Sequence, residues 1–584
     1  MPLSDLEKKA AASVDRELLM GHVHEISKHV RLSGEPGERA AFEYIDHVLR
    51  RYGFSTEMLI HDAYISLPGP AALEVLSPMP SAIECITHAF GQSTPPSGVV
   101  AELVYADDGS EGGYAGLDVK HRFVLLDGMA SPEAAMIATS MGAYGEVHMG
   151  TPDGQMHEMI VSNVWGNPDD ETRANLPRTV VLSITWPQGQ ALKQALKVGP
   201  VRIRAKASVD TGWRKTPLLV AELKPPEHTE GDDRDRFLLL SGHLDSWYHG
   251  AMDNGSANAT MIEVARIMAE NRDALRRGLR VCFWSGHSHG RYAGSANYAD
   301  THWEDLERHC IMHLNTDSTG AVGATNLLDA SVMAETRGVA AHAVAGITGE
   351  VFRGRRVSRN GDQSFWGVGI PSLFVSLSQQ GPGPTGTGGG LGWWWHTRHD
   401  LPGKIDPGFL VRDTQVYTVV ASRTLASAML PLDYGATAEE WVTEIEALAA
   451  ECGARFDLSP VVERAREFRE KARRLREAAD RAMTGEPSSC AEAMNKCLMR
   501  LGRVLVPTAY TRAGRHAHDP ALDVPALPDL AAVTEIVATD AGSDDERFLK
   551  VRLRRGCNRV MCALRQAAEL VDEALDTIDR EERV

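Results

Sequence analysis

The amino-acid sequence predicts an α/β protein, with a mixed, largely parallel sheet flanked by helices, a β-rich insert and a helical C-terminal domain. Three observations predict it. From about Gly212 to Ser427, apolar strand-like runs alternate with helical patterns, the sign of a sheet covered by helices on both faces. Between Ser66 and Ala207 the texture is instead short strands separated by turns. After Tyr434 the chain becomes helical and charged. At 584 residues it is also too long for one compact core, since single domains seldom grow past roughly 300 residues.

In chain order, Val14 to Ile65 reads as helical, with a Gly-Glu-Pro-Gly break at Gly34 to Gly37 before a helix from Glu38 to Tyr52. Within the insert, Leu103-Val104-Tyr105 and Arg122 to Asp127 read as strands. A helix from Glu133 to Met141 then ends at Gly142-Ala143 and leads to another short strand. In the α/β region the candidate strands are Phe237 to Leu240, Leu279 to Trp284, His309 to Leu314 and Ser372 to Val375. Farther on, Val461, Ala465, Phe468, Ala472, Leu475, Ala479 and Ala482 recur in steps of four and three, a coiled-coil-like seam. A second helix, about Phe548 to Ile578, can pair with it in a bundle or across a dimer. The expected division is 1–65 with 208–434 as the main domain, 66–207 as the insert and 435–584 as a helical domain. A homodimer is expected because large soluble enzymes are often symmetric oligomers.

Composition excludes several classes. The 43% hydrophobic and 24% charged content is that of a globular chain, and the formal charge of −18 opposes binding to nucleic acid. The N-terminal stretch mixes acids and bases and has no apolar core of signal-peptide length. No run of about 18–20 uncharged apolar residues suggests a membrane span. The eight cysteines are scattered without CxxC pairing, which predicts reduced thiols and a cytoplasmic location.

The most informative stretch is Phe237-Leu-Leu-Leu-Ser-Gly-His-Leu-Asp-Ser-Trp247, followed by Gly250-Ala-Met-Asp-Asn-Gly-Ser256. An apolar strand runs out into His243 and Asp245, and a turn then presents Asp253 at the head of a helix from Ala257 to Met268. Side chains at the C-terminal ends of strands stand where open α/β sheets place their active sites. An imidazole and a carboxylate suit zinc, and a carboxylate can bridge two ions.

This combination resembles the first metal motif of the M28 zinc peptidases, the aminopeptidases and glutamate-carboxypeptidase-like enzymes. Three further segments fit the same family in order: His309 to Asp317, Asn360-Gly-Asp-Gln-Ser-Phe-Trp366 with Gly369-Ile-Pro371, and Trp395-His-Thr-x-x-Asp400 with Ile405-Asp406. The resemblance implies a fold of the zinc-peptidase type and one or two zinc or other divalent transition-metal ions. Asp253 would bridge, His243 and Asp317 would hold one ion, and His396 would help hold the other. Asp245 would orient His243 by accepting its second N–H, and Asp362 would shape the substrate pocket. The insert resembles a protease-associated domain, through Asp118-Val-Lys-His-Arg-Phe-Val-Leu-Leu126 and Gly142-Ala-Tyr-Gly145.

One corner departs from the family. Its members have two adjacent glutamates after the second strand, a general base and a metal ligand, whereas here Trp284 runs into Ser285-Gly-His-Ser-His-Gly-Arg-Tyr-Ala-Gly-Ser295. Counting forward from Trp284 puts His287 and Ser288 at those positions. Counting back from Gly294-Ser295 puts Ser288 and His289 there. Either histidine can ligate zinc or move a proton near neutral pH. Taking Ser288 as an inserted residue satisfies both counts and makes His287 the proton shuttle and His289 the ligand.

Near the site, Arg291 is a candidate for a substrate carboxylate and Trp395, with Trp393 and Trp394, for an aromatic wall. The loop Gly381 to Gly392 lacks the Gly-Lys-Ser/Thr ending of a phosphate loop and reads as a flap beside His396. The expected function is metal-dependent hydrolysis of a small peptide or amide, foremost as an aminopeptidase. The alternatives are an N-acyl amino acid amidohydrolase or carboxypeptidase, and a non-catalytic scaffold on the same fold.

Overall fold

The computed structural model describes residues 2–229, 231–381, 390–482 and 489–581. A 14-stranded mixed sheet runs through these residues. At its centre, Phe237–His243 lies between Gly278–Trp284 and Cys310–Asn315, parallel to both, and Ser372–Leu373 follows in parallel outside Cys310–Asn315. All three central strands are buried along their whole length, which is why they read as unbroken apolar runs. Alternation along them feeds two cores. Leu238 and Leu240 pack with Val281 and Phe283 beneath the helices Pro36–Arg51, Ala257–Glu270 and Pro407–Ala426. Leu239, Cys282 and Trp284 face the opposite layer, with Tyr298 and Leu306 of the helices Ala293–Thr301 and Trp303–His309.

The segment read as helical up to Ile65 turns into strand at Ser55. Ser55–Ser77 pairs antiparallel with Val201–Leu223 from Ser55 opposite Glu222 to Ser77 opposite Arg202. Twenty-three residues each, these strands form a ribbon of roughly 75 Å. One end of the ribbon pairs with Gly278–Trp284 and the other with Val99–Tyr105, so the sheet continues without interruption into residues 78–200. Long-range pairing overrides the local pattern here, and the expected limits at 65/66 and 207/208 fall inside the ribbon. The lobe beyond it has its own core of Leu103, Phe123, Leu125, Val147, Leu182 and Ile203.

The helices Tyr434–Cys452, Ser459–Ala482, Ser489–Tyr510 and Asp544–Glu581 share one continuous core with the main sheet. Val461, Ala465, Phe468, Ala472 and Leu475 are all buried, and their helix packs against Tyr434–Cys452 and Asp544–Glu581. As far as Ala479 the apolar seam is therefore satisfied within the chain, and the side chain of Ala482 lies outside the described residues. Arg503 ties this region to the sheet by donating to the main-chain oxygens of Glu307, Gly369 and Cys310. Among the described residues no helix is long and apolar enough to cross a membrane.

Candidate metal centre

Four sequence segments converge at the C-terminal end of the central strands. His243 is the last residue of its strand. Its Nδ1 donates to the main-chain oxygen of Asp245 at 2.9 Å, which leaves Nε2 as the ligating nitrogen. Gly250 makes the turn that brings Asp253 back to it. Its φ is +46°, and a Cβ there would meet the Asp253 oxygen at 2.2 Å, a place only glycine fits.

Asp253 spans two histidines. Oδ1 lies 3.1 Å from His243 Nε2, and Oδ2 lies 2.9 Å from His396 Nε2. Asp317, two residues beyond its strand, brings Oδ2 to 3.8 Å from His243 Nε2 and accepts from Ser318 Oγ at 2.8 Å. His396 donates its Nδ1 hydrogen to the main-chain oxygen of Glu158 at 2.6 Å and lies stacked on Trp395, ring centres 3.5 Å apart.

These residues fit a divalent cation. His243 Nε2 is buried and makes no hydrogen bond, although it points between two carboxylates. Burial opposes a charge on His243, yet Asp253, Asp317 and Asp245 outweigh it and raise its pKa to about 10. Burial, together with the charge of Asp253, raises Asp317 to about 6. Burial lowers His396, which favours the neutral, ligating imidazole. A cluster that demands positive charge and offers imidazole lone pairs and carboxylate oxygens has the donor set of a zinc site. One ring nitrogen of His287 joins ligand atoms of His243 and Asp317 within 4.8 Å of one another.

Several expected roles need correction. His289 is fully buried and stands outside this group. Its Nδ1 meets Ser33 Oγ at 3.0 Å, and its ring packs on Trp247 at 4.3 Å. Asp245 does not accept the His243 N–H through its carboxylate, which is 3.7 Å away. That carboxylate instead takes the N–H groups of His287 (3.2 Å) and Ser288 (2.8 Å) and the hydroxyl of Ser33 (2.9 Å), shaping the loop after Trp284. Arg291 is not free for substrate: it is buried, and Nε and Nη2 donate to the main-chain oxygens of Ser162 and Ile160. Asp362 is buried too, and both its oxygens are engaged: it accepts from His287 Nδ1 at 2.9 Å and from Ser295 Oγ at 2.8 Å. Of the three tryptophans, Trp394 lies in a core with Leu19, Val23 and Leu410, and Trp393 packs beneath Lys404. Only Trp395 adjoins the histidine. Of the expected flap, 382–389 fall outside the described residues.

Side-chain exposure separates contact from support. His287 (16%), Asp317 (14%) and His396 (11%) form the rim that an incoming molecule meets, whereas Asp245 and His289 are at 0%. Supporting residues that sequence reasoning missed include Glu158, from the inserted lobe, and Arg31, which is buried and donates to the oxygens of Leu244, His249 and Gly250. Asp400, noticed only as part of a motif, accepts from the N–H groups of Met252 and Asp253 at 2.8 and 2.9 Å.

Residues 219–420 match the model of peptidase family M28. The chain carries an M28 peptidase domain. It contains all of the candidate ligands. Among curated relatives, the probable glutamate carboxypeptidase VP8 of Zea mays is 24% identical over 506 residues, spanning 72% of this chain and 68% of the relative. The probable lipoprotein aminopeptidase LpqL of Mycobacterium tuberculosis is 25% identical over 319 residues, 52% of this chain and 59% of the relative. Among solved structures, an M28 peptidase precursor from Shewanella amazonensis superposes with a TM-score of 0.59 at 21% identity, over 73% of this chain and 96% of that one. The zinc aminopeptidase BSAP of Bacillus subtilis gives 0.54 at 17% identity, over 71% and 96%. These likenesses place the mixed sheet and its helices in the M28 aminopeptidase fold.

Proposed function

We propose that this chain is a metal-dependent hydrolase of peptide or small amide bonds that uses zinc and acts foremost as an aminopeptidase. The observation that carries the reading is the clasp of Asp253 between His243 and His396, closed on a buried imidazole nitrogen without a partner, inside an M28 domain. His243, Asp253, Asp317 and His396 would hold the metal. When bound, the ion supplies Lewis acidity toward the scissile carbonyl and makes a nearby water more acidic.

The protein's own residues do the placing. Asp400 fixes the main chain at Asp253, the Asp245 oxygen and the Glu158 oxygen fix the tautomers of His243 and His396, and Trp395 offers an apolar face beside His396. The tied guanidinium of Arg291 favours an aminopeptidase over a carboxypeptidase, because the arginine nearest the altered loop is not available to pair with a substrate carboxylate.

A panel of aminoacyl, dipeptide and N-acyl amides, assayed with zinc, cobalt or manganese, tests this. Metal-dependent cleavage of aminoacyl or dipeptide substrates is expected. No bound metal and no gain of activity with any of the three ions would contradict it and favour a non-catalytic scaffold.

A further inference from the structure

His287 does not sit like a mobile proton carrier. Its ring lies flat on that of His243, centres 3.7 Å apart and planes within 14°. Nδ1 donates to Asp362 Oδ2 at 2.9 Å, so the lone pair is on Nε2, the one ring nitrogen left to face an ion. Asp362 is itself held in place by a chain of donors that all run toward it. Trp165 Nε1 donates to Ser364 Oγ, Ser364 lies 2.9 Å from Ser295 Oγ, and Ser295 donates to Asp362 Oδ1 at 2.8 Å. All four residues are buried. A buried carboxylate behind an imidazole, with its other oxygen already committed, is the arrangement that orients a metal-binding histidine.

The other half of the centre is poorer. Among the described residues, His243, His287 and Asp317 are the only group of three potential ligands whose atoms come together, and no third such donor joins Asp253 and His396. Charge points the same way. Two neutral imidazoles with Asp317 and Asp253 carry two negative charges, enough to neutralise one divalent ion and not two.

We propose that His287, oriented by Asp362, is a metal ligand, and that the chain holds one ion tightly on the His243–His287–Asp317 side with Asp253 as the remaining donor. This rests on the metal-dependent reading above and replaces the proton-shuttle role expected for His287. The ion beside His396 binds weakly or not at all.

The test loads the full-length protein with Co2+ or Zn2+ and measures ions per chain, affinity by chelator competition and the Co2+ absorption spectrum. One tight ion per chain is expected. His287→Ala should lower its affinity on the order of 100-fold and change the Co2+ spectrum, because an imidazole is lost. Asp362→Asn, nearly isosteric, should weaken binding about 10–100-fold and gives the same readout if His287→Ala does not fold. His289→Ala should leave the spectrum as in the wild type. Two ions of equal affinity, or wild-type affinity and spectrum in both His287→Ala and Asp362→Asn, would overturn the inference while leaving the metal-dependent reading standing. A wild-type protein that binds neither ion would overturn both.

Discussion

The Nδ1 hydrogen of His396 and the main-chain oxygen of Glu158 meet at 2.6 Å, joining residues 238 positions apart in the chain. The return bond, from the Glu158 N–H to the His396 oxygen at 3.0 Å, makes the junction reciprocal. The inserted lobe therefore sets the tautomer and direction of a proposed metal ligand, although it supplies none of the four ligands the family resemblance implies.

A variant of that junction tests its importance. His157 is buried, donates to the Trp395 oxygen at 2.6 Å and lies 3.1 Å from Asp153. His157→Ala should free the Trp395–His396 turn and cost about 1–3 kcal/mol of stability, while leaving the tightly held ion in place. Chelator competition and denaturant unfolding read the two effects. Loss of the tightly held ion would show that His396 is one of its ligands and that the lobe positions it.

His289→Ala should behave oppositely. Its imidazole is at 0% exposure and supports Ser33 and Trp247, so removing it should destabilise the protein by about 1–3 kcal/mol and leave the metal content unchanged. Loss of metal without loss of stability would restore the ligand role that residue counting assigns to it.

Stability should carry a pH signature from Glu335. This carboxyl is buried where the sheet meets the C-terminal helices, with Thr437 Oγ1 donating to it, and burial raises its pKa to about 7. The fold therefore binds this proton more tightly than the unfolded chain does. Its contribution is fully present below the unfolded pKa of about 4.5 and is lost as pH rises to about 7, by up to roughly 3 kcal/mol. Glu335→Gln should remove that slope and be more stable than the wild type above pH 7. Identical pH profiles for the two proteins would contradict the account.

Phe468→Ala should cost about 3–5 kcal/mol, because the ring is fully buried between helices of the same chain. Deleting the chain from residue 435 should expose the core it shares with Leu432 and Tyr434 and abolish soluble folding. A soluble, metal-binding truncation would show the helical region to be separable, and its mass by light scattering would test the expected dimer.

The parts of the site carried by short, continuous patterns were legible in the sequence. The run into His243 and the turn presenting Asp253 were readable because a buried parallel strand is uniformly apolar and ends at the site. Three features were not. The ribbon from Ser55 to Ser77 depends on pairing with residues about 130 to 170 positions away, so its local pattern misled. The choice between His287 and His289 could not be made by counting. The strand pairing ends with Trp284 opposite His243, and the loop beyond it winds through left-handed residues at Gly286, Arg291 and Tyr292, so distance along the chain does not tell which side chain faces the site. The junction at Glu158 leaves almost no trace in residue type, because it runs through a main-chain N–H and oxygen that every residue except proline offers.

The most direct test of the central claim is the metal content of the Asp253→Ala protein, measured by elemental analysis after zinc loading and desalting, beside the wild type. With Asp253 as the carboxylate between His243 and His396, the variant should retain little of the wild-type zinc. Its affinity should fall at least about 100-fold, which is about 2.7 kcal/mol. A folded Asp253→Ala protein carrying the full wild-type complement of zinc would contradict the claim that these residues form the metal centre.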